Sequence, residues 1–483
     1  MKICLVCEGC YPYVAGGVSS WVQDMIKAMP QHEFIIWAIA ANKSSEGKFV
    51  YELPENVIRV DEVFLDSMLE MRRTKKSRLT LSDRETVEVY RMLTCSDPDW
   101  DLIFKMFSKG HIDPIEFLLD PSVLRILKAV CVNKYSHLPF TDFFWTIRSM
   151  FLPLLYLIHN EMPEADIYHS CSCGYAGMLA SAASKYYNKP FMLTEHGIYT
   201  REREEEILRA GWVAPMFKPL WIELFYMFTR CAYNSADVVT SLFSYASQAQ
   251  RELGCDAKKQ IIIPNGINTD IFANVPPKKP DGYIDIGAVV RVVPIKDIKT
   301  MIYAFAHVEQ ENDRIRLHII GPTDENPEYY AECMTLLKDL GLKNAFFVGR
   351  VNTAEYFEKI DVTLLSSISE GMPLSTLEGM AAGRPAITTN VGCCSELLLG
   401  VSDSFGRAGF CVPAMQPKQL ADAILQMAED PELMRTMGLR GKNRVLTYFR
   451  HSDMIGKYLA AYDKTIENYK QRKGERWQES DSN

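Results

Sequence analysis

Lys2-Ile-Cys-Leu-Val-Cys-Glu8 is an apolar run of strand length, and Glu33-Phe-Ile-Ile-Trp-Ala-Ile-Ala40 is a second. Residues 18–29 between them carry a helical pattern, so the chain opens as strand, helix, strand. The turn after the first strand holds Ala15-Gly16-Gly17, beyond a strand's carboxyl end, where open α/β sheets bind ligands.

The alternation extends outward with one interruption. From about 66 to 159 strands vanish and helix-period apolar positions take over (86–93, 121–135, 141–159), which predicts a helical insertion in the first domain. Strands resume at 166–169, 190–194, 237–241 and 260–264, with a helix at 174–187. Residues 274–282, Asn-Val-Pro-Pro-Lys-Lys-Pro-Asp-Gly, read as a linker and hinge. A second series follows, with strands at 284–290, 315–321, 345–349, 361–366, 385–389 and 409–412 and helical patterns between them. Strands alternating with helices imply parallel sheets covered on both faces. The expected architecture is two Rossmann-like halves: an N-terminal domain over 1–275 and a C-terminal domain over 282–450. A helix at 451–470 is expected to return to the first domain, and a polar, flexible tail is expected over 471–483.

Composition bounds the partners. The chain has 483 residues, too many for one ordinary core, with 47% apolar and 24% charged residues, as in common globular proteins. A net charge of −8 disfavours nucleic acid as the main partner, since phosphate backbones need a basic surface. Met1-Lys2 runs straight into the first strand with no signal-type apolar region, so a cytoplasmic protein is expected. The most apolar stretch, 140–159, is interrupted by Asp142, Arg148 and Pro153 and reads as an internal helix. Cys4, Cys7 and Cys10 form overlapping C-x-x-C spacings. Residues three apart on a strand point to opposite faces, so buried thiols are expected rather than a metal site.

Neither half has G-x-G-x-x-G after its first strand, and no P-loop motif occurs. Present instead is Ser366-Ser-Ile-Ser-Glu370-Gly-Met-Pro-Leu-Ser-Thr-Leu-Glu378, which follows a strand and opens a helix. Pro373 suits a first helical turn, and the amides of Leu374, Ser375 and Thr376 are expected to be unpaired donors at a positive dipole end. Arg291 and Lys296 follow the second half's first strand and so share the carboxyl edge with Glu370. Arg offers a bidentate fork and Lys a mobile charge, the pair a diphosphate needs.

These residues resemble the GT4 family of retaining glycosyltransferases. Tyr11-Pro-Tyr-Val-Ala-Gly-Gly-Val-Ser-Ser-Trp21, Thr194-Glu-His-Gly-Ile-Tyr-Thr-Arg-Glu-Arg203 and Ile263-Pro-Asn-Gly-Ile-Asn268 are similar, within it, to the glycosyltransferases of the Pel exopolysaccharide system. The resemblance covers nearly the whole chain and implies a GT-B fold, two Rossmann-like domains facing a cleft. It implies a nucleotide-sugar donor, UDP-linked, and a polysaccharide acceptor. It also implies catalysis without a metal or other cofactor, and inner-membrane synthesis partners for a cytoplasmic enzyme. Arg291 and Lys296 would hold the diphosphate, with Gly16, Gly17 and the turn Gly371, Met372, Pro373, Leu374, Ser375 and Thr376. Glu378 would accept from the ribose hydroxyls and Glu370 from the transferred sugar. Arg350 and Val351 would meet the base, and His196 would lie near the reacting carbon. The family pattern has Gly where Val290 and Asp297 stand; an Asp297 capping the next helix would turn its charge away from the diphosphate.

Plainer readings stay beside these. A lone histidine such as His196 is more often structural, and the run Glu204–Glu206 reads as a solvated face. An inactive nucleotide-sugar-binding subunit and a nucleotide-sugar epimerase of the same fold remain open alternatives.

Overall fold

The computed structural model describes residues 1–71, 79–400 and 403–480. Its strands are β1 (Lys2–Glu8), β2 (Glu33–Ala40), β3 (Val57–Phe64), β4 (Ile167–Ser170), β5 (Phe191–Glu195), β6 (Val238–Ser241), β7 (Gln260–Ile262), β8 (Ile284–Val289), β9 (Ile315–Ile320), β10 (Ala345–Gly349), β11 (Val362–Leu365), β12 (Ala386–Thr389) and β13 (Gly409–Val412). They form a seven-stranded sheet ordered β3-β2-β1-β4-β5-β6-β7 and a six-stranded sheet ordered β10-β9-β8-β11-β12-β13. Neighbouring strands pair in parallel throughout. These are the two Rossmann-like α/β halves that the alternation predicts, as the resemblance to GT-B enzymes also implies. In each sheet the order reverses beside its first strand, at β1/β4 and at β8/β11, and such switch points are where open α/β sheets hold ligands.

The apolar runs become strands because both sheet faces are covered: Ile3 to Cys7 and Phe34 to Ile39 are almost wholly buried. Cys4 and Cys7 sit within that core as free thiols, and Cys10 is partly exposed. By contacts the chain forms two units. One comprises Met1–Ser241, Ser247–Ile262 and the chain from Tyr458 onward; the other comprises Leu242–Ala246 and Ile263–Lys457.

In the first unit, helices at Asp83–Leu93, Trp100–Phe107, Pro114–Leu119, Pro121–Lys134 and Phe140–His159 lie between β3 and β4. Part of the sequence read as an insertion, residues 72–78, lies outside the described residues. A capping box opens the first of these helices: Ser82 Oγ accepts from the Glu85 amide at 3.3 Å, and Glu85 accepts from the Ser82 amide at 2.7 Å. Phe104, Phe143, Ile147 and Phe151 belong to the same buried cluster as Val6, Trp37 and Tyr168, so these helices are part of the main core. No helix among the described residues is long and apolar enough to cross a membrane.

Two local expectations change. The sequence read as a polar tail from Gln471 continues the helix His451–Ser480; residues 481–483 lie outside the description. The helix is anchored there by Tyr469, whose hydroxyl donates to Asn188 Oδ1 at 2.7 Å, and by Arg472 on Asp237 at 2.9 Å. Residues 274–282 are not an open linker but part of the second unit. Lys278 is buried in an ion cluster, 2.5 Å from Asp285, 2.8 Å from Asp281 and 3.1 Å from Asp361, and Arg384 donates to the Pro276 carbonyl at 2.5 Å. A Pro- and Lys-rich composition reads as loose, and long-range carboxylates that fix it are invisible locally.

Candidate functional site

The switch point of the second unit gathers most of the predicted residues. β8 ends at Val289; Arg291 follows, and Pro294–Lys296 make one tight turn before the helix Ile298–Glu311. Asp297 caps that helix, its Oδ1 accepting from the Thr300 amide at 3.3 Å. Its φ of 49° is the left-handed region, which Asp tolerates and Gly favours. Its Oδ2 is buried without a partner among the described residues.

The loop after β11 is stitched to this turn. The Ile368 amide donates to the Ile295 carbonyl at 2.9 Å, and Ser366 Oγ donates to the Lys296 carbonyl at 2.9 Å. Those bonds bring the Lys296 ammonium onto Glu370 Oε1, which also accepts from Ser367 Oγ at 2.5 Å. Both side chains are largely buried, 16% exposed for Lys296 and 11% for Glu370. Behind them, Gly392 supports the loop. Its φ is +52°, and a Cβ there would lie 2.3 Å from the carbonyl oxygens of Glu370 and Gly371.

Pro373 precedes the helix Leu374–Ala381 as its N-cap. The Thr376 amide donates to the Pro373 carbonyl at 3.2 Å, so among the described residues the amides without a backbone partner are those of Leu374 and Ser375, two rather than the expected three. The tight turn, one residue shorter in hydrogen-bonding reach than a regular α-helical start, accounts for the difference. Gly371 and Met372 lie in the loop that leads into it. Glu378 is half-buried, and no hydrogen bond to its carboxylate occurs among the described residues; burial raises its pKa to about 7. An acceptor carboxylate so placed favours a ligand that brings hydroxyl donors.

At the carboxyl ends of β8, β9 and β10 lies a cavity of about 370 Å³ lined by Arg291, Gly321, Arg350, Val351 and Thr353 among others. Arg291 pairs with Glu325 at 2.8 Å and Arg350 with Asp324 at 3.2 Å. Both pairs are solvent-exposed, so they exchange cheaply for a ligand. The structure therefore sorts the predicted residues: Arg291 with Arg350 and Val351, Lys296 with Glu370. Sequence reading missed Ser367, Gly392, Asp324 and Glu325. Asp324-Glu325 follow a strand of the same sheet, so the shared-edge argument used for Arg291 reaches them too.

In the first unit, Gly17 begins the helix Gly17–Ala28 after β1, and nothing lies within 4 Å of a Cβ built on Gly16 or Gly17. His196 follows β5 with its ring against Trp21, centroids 4.5 Å apart. Its Nε2 is buried without a partner among the described residues. Burial lowers its pKa to about 4, so the ring is neutral near pH 7. Glu195 is internal, accepting from Tyr233 Oη at 2.6 Å and Gln250 Nε2 at 2.9 Å. At 3% exposed, it is turned into the core rather than toward a ligand.

Residues 1–258 match the family model described as a domain of unknown function (DUF3492), and residues 271–444 match that of glycosyl transferases group 1. The MMP alpha-(1->4)-mannosyltransferase of Mycolicibacterium hassiacum is 23% identical over 316 residues, 63% of this chain and 71% of that protein. The N-acetyl-alpha-D-glucosaminyl L-malate synthase of Bacillus anthracis is 31% identical over 170 residues, 35% of this chain and 42% of that protein. Among solved structures, Anabaena Alr3699/HepE in complex with UDP superposes with a TM-score of 0.60 at 14% identity, covering 96% of this chain and 100% of that one. Sucrose-phosphate synthase from Thermosynechococcus elongatus gives 0.61 at 18% identity, covering 96% and 99%. At those identities the two structures speak to the fold alone. With one family model over more than half its length and a transferase domain over the site just described, the chain belongs to the DUF3492 family and is a GT-B glycosyltransferase.

Proposed function

We propose that the chain is a retaining, GT4-type transferase that moves a hexosyl group from a nucleoside-diphosphate sugar, a UDP-sugar, to a growing exopolysaccharide, as PelF of the Pel system does. The observation that carries this reading is the grouping at one switch point of a buried Lys296–Glu370 pair with a helix start and a Glu378 carboxylate that have, among the described residues, two free amides and no hydrogen-bond partner respectively. A diphosphate takes the cation and the amides, ribose hydroxyls take Glu378, and sugar hydroxyls take Glu370. The cavity of Arg291, Arg350 and Val351 takes the base end and its adjoining phosphate.

The acceptor hydroxyl oxygen attacks the anomeric carbon as the bond to the diphosphate oxygen breaks. The electron pair leaves with the diphosphate, which also receives the acceptor's proton when attack comes from its own face, and this gives retention. Lys296, Arg291 and the helix amides stabilise the developing negative charge, each contact being typically worth about 2.7–4 kcal/mol. This charge set is the reason to propose transfer without a metal. Gly16, Gly17 and the neutral His196 are proposed as the first unit's contributions to binding the phosphate and the transferred sugar. Inner-membrane synthesis partners are proposed to bring the enzyme to its acceptor.

Thermal-shift titration with UDP-, GDP- and ADP-sugars, followed by nucleotide-release assays with and without acceptor oligosaccharide, tests the reading. A UDP-sugar shift with acceptor-dependent release of UDP is expected. Binding without release would favour an inactive subunit, acceptor-independent conversion of the donor an epimerase, and no binding of any nucleotide sugar would overturn the assignment.

A further inference from the structure

A second cavity, of about 440 Å³, lies in the first unit where the helices Trp100–Phe107, Tyr175–Tyr187 and His451–Ser480 meet. Asn188, on its wall, precedes β5 and so marks the amino edge of the sheet. Gly17 and His196 follow the carboxyl ends of β1 and β5, at the opposite edge. The cavity is therefore a separate place from the residues proposed for transfer.

Its charge runs against that of the protein. The chain carries a net −8, yet this cavity is lined by Lys105, Lys185, Arg472 and Lys473 with a single carboxylate, Asp101. Asp101 is occupied by Lys185 at 2.9 Å, and Arg472 is held by Asp237 at 2.9 Å. Lys105 and Lys473 have no ion-pair partner among the described residues, so uncompensated positive charge remains at the cavity. Two cations without an ion pair at one cavity repel each other, and an anion between them would relieve that repulsion.

Two further features point to a ligand. Ser108 lines the cavity, is 1% exposed, and its Oγ has no hydrogen-bond partner among the described residues. An unpaired buried hydroxyl costs free energy that a bound polar atom would recover. The apolar lining comes from rings: Phe104 is buried, and Tyr469 is fixed by its hydroxyl on Asn188 Oδ1 at 2.7 Å. Lys473 Nζ and Arg472 Cζ lie 5.3 and 5.5 Å from the Tyr469 ring centroid; a phosphate that draws Lys473 off the ring would open it to a base, which a bare inorganic anion lacks. The volume falls in the range of small-molecule sites.

We propose that this cavity binds a nucleoside phosphate, with the phosphate against Lys105 and Lys473, the base against Tyr469, and a polar atom of the ligand on Ser108. The site does not rest on the donor-site reading. Hydrogen–deuterium exchange of the full chain with AMP, GMP and UMP at millimolar concentration, and with inorganic phosphate alone, tests it. Protection of residues 101–111, 184–189 and 469–473 by at least one mononucleotide is expected. Lys105→Glu with Lys473→Glu should weaken that protection about tenfold or more, leaving any protection of 289–296 and 366–378 unchanged. If the double variant does not melt cooperatively, Lys105→Glu alone serves, because Lys105 is exposed. The proposal is overturned if no mononucleotide protects these segments, if the charge-reversed protein binds as the original does, or if inorganic phosphate protects them equally well.

Discussion

Lys296 and Glu370, 74 residues apart in sequence, form a largely buried ion pair where β8 and β11 lie side by side. The pair explains how a cation and a carboxylate can share one ligand site without either being an uncompensated charge before the ligand arrives. An ammonium has three donors, and Glu370 uses one; a phosphate can take another while the pair persists. Ser367 holds the same carboxylate oxygen at 2.5 Å, which leaves the second oxygen to accept from a sugar.

Lys296→Ala should lower transfer by about 10²- to 10³-fold, the loss typical of one preorganised donor to a developing anion. The fold should survive, because Ser367 still satisfies Glu370. Steady-state kinetics alongside a melting curve checks this; near-normal turnover in a folded variant would remove Lys296 from the site.

Glu378 gives a pH signature. Burial raises its folded pKa to about 7, above the ordinary carboxylate value, so the folded protein binds the extra proton between those limits. Its contribution to stability is therefore fully present at acid pH and is lost as pH rises through that window. Glu378→Gln should flatten this part of the stability profile. Donor binding through ribose hydroxyls favours the ionised form, so affinity should tighten between pH 6 and 8 with release of a proton. Calorimetry in two buffers of different ionisation heat measures that release, and zero proton exchange at pH 6.5 would contradict the assigned role.

How far the sequence carries depends on where the determining interaction lies. β1, β2, β10 and β13 have their expected bounds because each has an apolar run unbroken by charge, which holds even for β10 and β13 at the edges of their sheet. β3 escapes notice: Val57-Ile-Arg-Val-Asp-Glu-Val-Phe64 is an edge strand, mostly half-exposed, and its charges break the apolar run. The cap at Asp297 is local and legible, since it needs only the residue and the helix that follows. The partners of Lys296, Arg291 and Arg350 are not, because a side-chain pair across 26 to 74 residues is set by sheet order rather than by pattern. The same cause hides the ion cluster that fixes 274–282.

That cluster is a stability prediction. Asp285 is 1% exposed and bonded to Arg316 Nε at 2.5 Å, Lys278 at 2.5 Å and His318 Nε2 at 2.8 Å. Burial alone would raise its pKa, but bonds from His318, Arg316 and Lys278 outweigh that and hold it well below the usual carboxylate range. A depressed pKa contributes stability above the unfolded value that is lost as pH falls through the folded one. Asp285→Ala removes the buried acceptor that Lys278, Arg316 and His318 share, while Asp281 and Asp361 still hold Lys278 and Asp281 still holds Arg316, so it should cost about 3 kcal/mol, the lower end for breaking a buried pair. Denaturant melts of the variant at pH 7 measure it; a change within experimental error would mean that the cations are satisfied by solvent.

The helices between β3 and β4 invite deletion as a dispensable module, and the core says otherwise. Phe143, Ile147 and Phe151 are wholly buried in one cluster with Val6 and Trp37 of the sheet, and Phe104 joins them from a neighbouring helix. Removing residues 66–159 would expose that face of β1 and β2 to water, and losing each large buried side chain costs several kcal/mol against a marginal total. The deleted chain should therefore fail to fold its first unit, seen as loss of the cooperative melt, while surface changes in the same helices should be silent for stability. Trp145, 55% exposed, is the control: Trp145→Ser should leave the melt within about 0.5 kcal/mol. A soluble, cooperatively melting deletion would show that the sheet closes its core without these helices, and partner binding could then be assigned to them by truncation; otherwise it has to be sought one surface residue at a time.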